Sequence, residues 1–166
     1  MPVSVNLLKH SMPMDSLRDS NHSFRELLPL IREQIGSGGN VRISPKGTSM
    51  LPMLRQGEDT VVLSPVSRKL KKYDIPFYRR DNGQFVLHRI TAVGETYTCI
   101  GDNQFDPEPG IREDQIIAVV SAFTRGGREI SVTNPLYRCY CRYWHYSRPL
   151  RRFWRRARYW LGRKLS

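Results

Sequence analysis

No apolar run in the chain approaches the roughly 20 residues that carry a helix across a bilayer, so no membrane-spanning segment is expected. The first 22 residues are polar and include Asp15 and Asp19. They lack the basic start, apolar middle and small-residue cleavage site of a secretory signal, which points to the cytoplasm. Cysteine is scarce: Cys99, Cys139 and Cys141 are an odd count without zinc-type spacing, which excludes a full disulfide framework and gives no metal site. Reduced thiols are the simple reading, and Cys139-x-Cys141 is explained as two small apolar residues near Tyr140 and Tyr143 as well as by lipidation or redox pairing. Acid is missing altogether from residues 135–166, which hold ten basic side chains. The remainder carries 17 Lys and Arg against 15 acids, so the net charge of +12 belongs almost entirely to the tail.

What is present divides the chain into four stretches. Residues 1–22 read as a loose arm, rich in Ser, Asn and Met and without sustained periodicity. Ser23-Phe24-Arg25-Glu26 has capping-box form, and Leu27, Leu28, Ile31 and Ile35 share a helical face, predicting a helix over 23–36 that Gly36 and Ser37-Gly38-Gly39 end. Pro29 should kink that helix or delay its start. Residues 37–134 form the next stretch, with short β-branched and aromatic runs predicting strands near 41–45, 59–64, 75–80, 84–93, 96–100 and 115–124. Asp81-Asn82-Gly83 is a hairpin turn, and Gly126-Gly127 marks another. From Pro135 the pattern is helical again, with Pro149 dividing an aromatic segment from a terminal helix.

Gly47-Thr48-Ser49-Met50-Leu51-Pro52 follows directly on a predicted strand. It resembles the nucleophile motif of signal peptidases, Ser-Met-x-Pro at a strand end, which exposes the hydroxyl beside a groove for extended peptide. Alone, such a motif could equally be a turn in which Ser49 caps a backbone amide. Two further segments follow in that family's order: Tyr73-Asp74-Ile75-Pro76-Phe77-Tyr78-Arg79 with Val86-Leu87-His88-Arg89-Ile90, then Gly101-Asp102-Asn103. Together they resemble the clan of signal peptidases and LexA-type repressors over residues 40–121, about half the chain.

The resemblance implies Ser49 as nucleophile and His88 in the place where bacterial signal peptidases and LexA repressors carry lysine. Histidine there is the form of the endoplasmic-reticulum-type enzymes, and the resemblance implies a Ser-His-Asp arrangement. An imidazole with an ordinary pKa near 6.5 can accept the hydroxyl proton at neutral pH, where a lysine must first be desolvated. A histidine base needs an acceptor to fix its tautomer; Asp102 is the first candidate and Asp106 the second, while a turn aspartate bonding its own backbone is the plain alternative for Asp102. Where many signal peptidases place a hydroxyl two residues before the serine, this chain has Gly47. The oxyanion and substrate contacts are therefore expected from backbone near Gly47, Thr48 and Met50, chiefly the Ser49 amide, with Thr48 a possible side-chain helper.

The resemblance implies a mostly β fold of the coiled β-ribbon type, and the periodicity of the chain adds a helix before it and a basic amphipathic helix after it. It implies a serine endopeptidase acting on signal- or leader-type peptides, without metal or organic cofactor. An extended peptide or preprotein is expected to add as a strand beside 41–47 and 75–80. Two alternatives remain open: a self-cleaving LexA-like regulator, and a catalytically silent peptide-binding or membrane-docking module. In the tail, Leu150, Phe153, Trp154, Ala157, Trp160, Leu161 and Leu165 fall on one helical face and Arg151, Arg152, Arg155, Arg156 and Arg158 on the other. Residues 150–165 thus suit either peripheral attachment to an anionic inner membrane face or docking on the β domain. Nucleic acid ranks lower, because the aromatics keep to one face instead of interleaving with the charges.

Overall fold

The computed structural model describes the backbone of residues 20–164 and the side chains of residues 26–158. Along the chain lie α1 (Ser20–Gly36), β1 (Val41–Ile43), β2 (Val61–Ser64), β3 (Pro76–Arg79), β4 (Phe85–Leu87), β5 (Arg89–Val93), β6 (Tyr97–Ile100), β7 (Glu108–Ile111), β8 (Ile116–Arg125), β9 (Arg128–Ser131), α2 (Pro135–Tyr146) and α3 (Arg148–Lys164). The described chain is therefore mostly β, with helix at each end. It falls into two compact units that meet in sequence between Val132 and Thr133, close to the expected boundary after residue 134.

Most of the proposed arm, residues 1–19, lies outside the described residues, but residues 20–22 already belong to α1, so the helix begins ahead of the Ser23 cap. Pro29 does not delay its start: α1 begins at Ser20 and runs through Pro29 to Gly36, with Ile31 and Ile35 buried, because burial of one apolar face offsets the single backbone bond that proline forfeits. The Gly39 amide then closes the helix on the Gln34 carbonyl at 2.9 Å.

All strand pairs are antiparallel and form two sheets. The larger runs β1-β2-β8-β3-β4, with β9 also paired to β8, and the smaller runs β5-β6-β7. The hairpin read from Asp81-Asn82-Gly83 closes β3 on β4 with Phe77 opposite Leu87 and Arg79 opposite Phe85. Alternation along β2 buries Val61 and Leu63, and β8 buries Ala118, Val120 and Ala122 on the same principle. Tyr78, Val86, Ile90, Tyr97, Cys99 and Ile111 form a cluster that draws on strands of both sheets.

Two expectations are corrected at this level. The single strand read over 84–93 is two, β4 and β5, because the chain leaves one sheet and enters the other at His88. The strand at 75–80 offers no free edge for substrate, since β3 is flanked on both sides by β8 and β4; among the described residues the strands of the larger sheet with one partner are β1, β4 and β9. In the tail the break falls at Ser147, and Pro149 sits in the first turn of α3, where its missing N–H has no helical partner to lose.

Candidate functional site

Ser49 and His88, 39 positions apart in sequence, line one cleft of about 300 Å³. One wall is the segment Pro45–Gly47 that leaves β1, and another is Gln84–His88, which contains β4; Met50, Leu54, Arg80 and Gln104 complete the lining. Two edge strands of the larger sheet, β1 and β4, therefore lead to the same opening. Among the described residues no hydrogen bond joins Ser49 to His88.

The loop that carries Ser49 is fixed from three directions. At Gly47 the backbone takes φ +90°, a conformation that side-chain-bearing residues rarely adopt, and its amide donates to Gln56 Oε1 at 2.7 Å. Downstream, buried Asp59 accepts from the Arg55 guanidinium at 2.9 and 3.0 Å and from the Arg55 amide at 2.9 Å. The hydrogen bonds from Arg55 hold the Asp59 carboxyl below the usual carboxylate range. Gly101-Asp102-Asn103 supplies the third hold: the Asn103 amide donates to the Ser49 carbonyl at 2.8 Å, and Asn103 Nδ2 to the Thr48 carbonyl at 3.2 Å. A Cβ at residue 101 would lie 2.6 Å from the Ser49 carbonyl oxygen, so only glycine permits this approach.

These bonds decide which groups remain for an oxyanion. The Gly47 amide is occupied by Gln56. Met50 is buried, so its side chain forms floor to the cleft. Among the described residues no hydrogen bond engages the Ser49 amide.

His88 is 4% exposed and sits where β4 gives way to β5. Its Nδ1 lies 3.4 Å from the Tyr78 hydroxyl and 3.8 Å from Glu108 Oε2. Tyr78 donates to Glu108 Oε2 at 2.9 Å, and Arg80 holds the same carboxylate in a fork, Nε to Oε1 and Nη2 to Oε2 at 2.6 Å each. Burial first, and then the Arg80 charge, push the imidazole down to about 4, so it is neutral at pH 7. The Arg80 fork depresses Glu108, while burial raises the Tyr78 phenol.

Asp102 makes no hydrogen bond to His88 among the described residues, although its charge acts on the imidazole and favours the protonated form. It is fully buried, and its carboxylate takes Arg89 Nε at 2.8 Å and Nη2 at 2.7 Å, with Arg89 itself 1% exposed. Two buried charges need this pairing, and Arg89, next in the chain to His88, is what holds Asp102 in place. Asp106 is exposed. The carboxylate facing Nδ1 is that of Glu108, which sequence reasoning passed over because Asp106-Pro107-Glu108-Pro109 reads as a loop; it opens strand β7, with Cys99 opposite. Among the described residues no group of three or more His, Cys, Asp and Glu side chains is placed to hold a metal ion, and the three cysteines are free thiols. No protein-family model matches the chain, and neither a curated protein nor a solved structure does.

Proposed function

We propose that this chain is a serine endopeptidase of the signal-peptidase and LexA clan, its β strands a coiled β-ribbon of that kind, acting on an extended peptide of signal or leader type. The observation that carries the reading is the meeting of Ser49 and His88 in one cleft bounded by the chain leaving β1 and by β4, two edge strands of the larger sheet. A peptide lying in that cleft could bond its backbone to the chain leaving β1 and to β4, replacing its lost water contacts as strand addition does.

In this account Ser49 Oγ attacks the scissile carbonyl while its proton passes to His88, which returns it to the leaving amine; water then releases the acyl group by the same route reversed. Nδ1 is the nitrogen beside Tyr78 and Glu108, so Nε2 is assigned as the base. The neutral tautomer with its proton on Nδ1 can donate to the Tyr78 oxygen, whose own hydrogen goes to Glu108. Glu108, set by Arg80, thereby takes the role first sought in Asp102. Asp102 holds Arg89, next in the chain to His88. The Ser49 amide, which no hydrogen bond engages among the described residues, is the assigned oxyanion donor, and the loss of such a donor costs on the order of a hundredfold in rate.

The test is hydrolysis of an extended-peptide library, with new termini read by mass spectrometry for wild type and Ser49→Ala. Cleavage that disappears in the variant supports the reading. Peptide binding without cleavage in either protein would favour the silent binding module instead, and cleavage confined to the chain itself the self-processing regulator.

A further inference from the structure

We infer that the tail is a docking surface for an anionic lipid bilayer, which it meets along the whole of α2 and α3 and not along the terminal helix alone. The two helices form one compact unit with Thr133 and Asn134. Their junction is the single residue Ser147, whose backbone is itself right-handed helical. Its amide donates to the Tyr143 carbonyl at 2.9 Å, and the Arg151 amide donates to the Ser147 carbonyl at 3.0 Å, so both helices are bonded to the joining residue. At 1.5 Å per residue α2 is about 18 Å long and α3 about 25 Å.

Each helix carries an apolar stripe. Leu136, Cys139, Tyr143 and Tyr146 on α2, and Leu150 and Phe153 on α3, are spaced three or four apart, which keeps each set on one side of its helix, and Trp154 flanks the second. Leu136, Tyr143, Tyr146, Leu150, Phe153 and Trp154 are each between 60% and 80% exposed, and Cys139 is exposed also. The continuation through Trp160, Leu161 and Leu165 lies outside the described side chains. Arg138, Arg142, Arg152, Arg155, Arg156 and Arg158 are exposed around the rest of the circumference, and residues 135–166 contain no acid.

Charge selects the occupant. A second copy meeting stripe to stripe would bring arginine rows together with no carboxylate to offset them. A nucleic acid would draw the arginines to its phosphates and leave the aromatic stripe in water. An anionic bilayer meets both needs at once: the stripe enters the acyl boundary and the arginines remain among lipid phosphates. Among the described residues no helix is long and apolar enough to cross a membrane, so the surface would lie in the interface plane.

The test is co-sedimentation of the full chain with phosphatidylcholine vesicles, alone or with about a third phosphatidylglycerol. The protein should pellet with the anionic vesicles only, and its tryptophan emission should be quenched by bromine on the acyl chains. Replacing Leu150, Phe153 and Trp154 together by Ser should weaken partitioning by at least about a hundredfold. Replacing Arg152, Arg155 and Arg156 by Gln should weaken it about fivefold per charge and flatten its salt dependence. All six positions are exposed or flanking, and far-UV circular dichroism checks that the helices survive. Wild type remaining in the supernatant, or a triple-serine variant that binds as well as wild type, would overturn the inference. So would a dimer, seen by sedimentation velocity, that the serine variant dissociates while neither protein binds vesicles, since the occupant would then be a second copy.

Discussion

His88 shows how far an unremarkable residue type is reshaped by its surroundings. With burial and Arg80 pushing it down to about 4, it is already the free base over the whole neutral range. The rate of Ser49 acylation should therefore stay level from pH 8 to about pH 5 and fall only as the imidazole protonates near 4, instead of declining near the ordinary 6.5. Glu108→Gln and Tyr78→Phe should each lower that rate by about ten- to a hundredfold, because either loosens the Nδ1 side of the ring; a pH–rate profile for the three proteins checks both points. Asp102→Asn belongs to a different class. It leaves Arg89 charged and buried with half its partner, at a cost of about 3–5 kcal/mol by chemical denaturation, while Arg89→Met combined with Asp102→Leu should recover much of the loss. Ser49, His88 and the Gly-Asp-Asn segment were legible as a series because their order survives in the linear chain. The pairing of carboxylates to cations was not legible, since Glu108 reaches Arg80 and Asp102 reaches Arg89 only after β-strands have crossed, and spacing in sequence carries no trace of that.

Among the elements, turn chemistry and alternation gave the hairpin of β3 and β4 and the long strand β8, because both signals are local. They missed β7, whose Glu108-Pro109-Gly110-Ile111 has the composition of a loop and becomes a strand only by pairing with β6. They also ran β4 and β5 together, since a change of sheet at His88 leaves the apolar pattern intact. The element that ties the site together is the turn after β6. Gly101→Ala would force the Ser49 carbonyl and residue 101 apart from a 2.6 Å approach, and backbone has little freedom to yield. The variant should lose about 1–3 kcal/mol of stability and slow Ser49 acylation by tenfold or more, whereas Gly94→Ala, whose added Cβ meets nothing nearer than 3.7 Å, should change neither appreciably. Denaturation and acylation kinetics on the two variants make the comparison.

For the whole molecule, charge and acid response follow from the same groups. The balance of +2 outside the tail leaves the cleft-bearing unit nearly neutral, while the tail holds ten cations, so the two units are electrostatically distinct. His88 is depressed on folding, so between about 6.5 and 4 the unfolded chain binds the more protons and stability falls as pH falls through that window. The loss from this group is on the order of 3 kcal/mol and should be largely absent in His88→Gln, as unfolding curves at pH 7 and pH 4.5 would reveal. All of this attaches chemistry to Ser49 through His88, and that link is measured most directly by site-mapped acylation. Treated with a fluorophosphonate probe, the wild-type protein should gain one adduct, mapped to Ser49; His88→Ala should react at least about a hundredfold more slowly, and Ser49→Ala not at all. An adduct at another residue, or wild type and His88→Ala reacting at equal rates, would contradict the account.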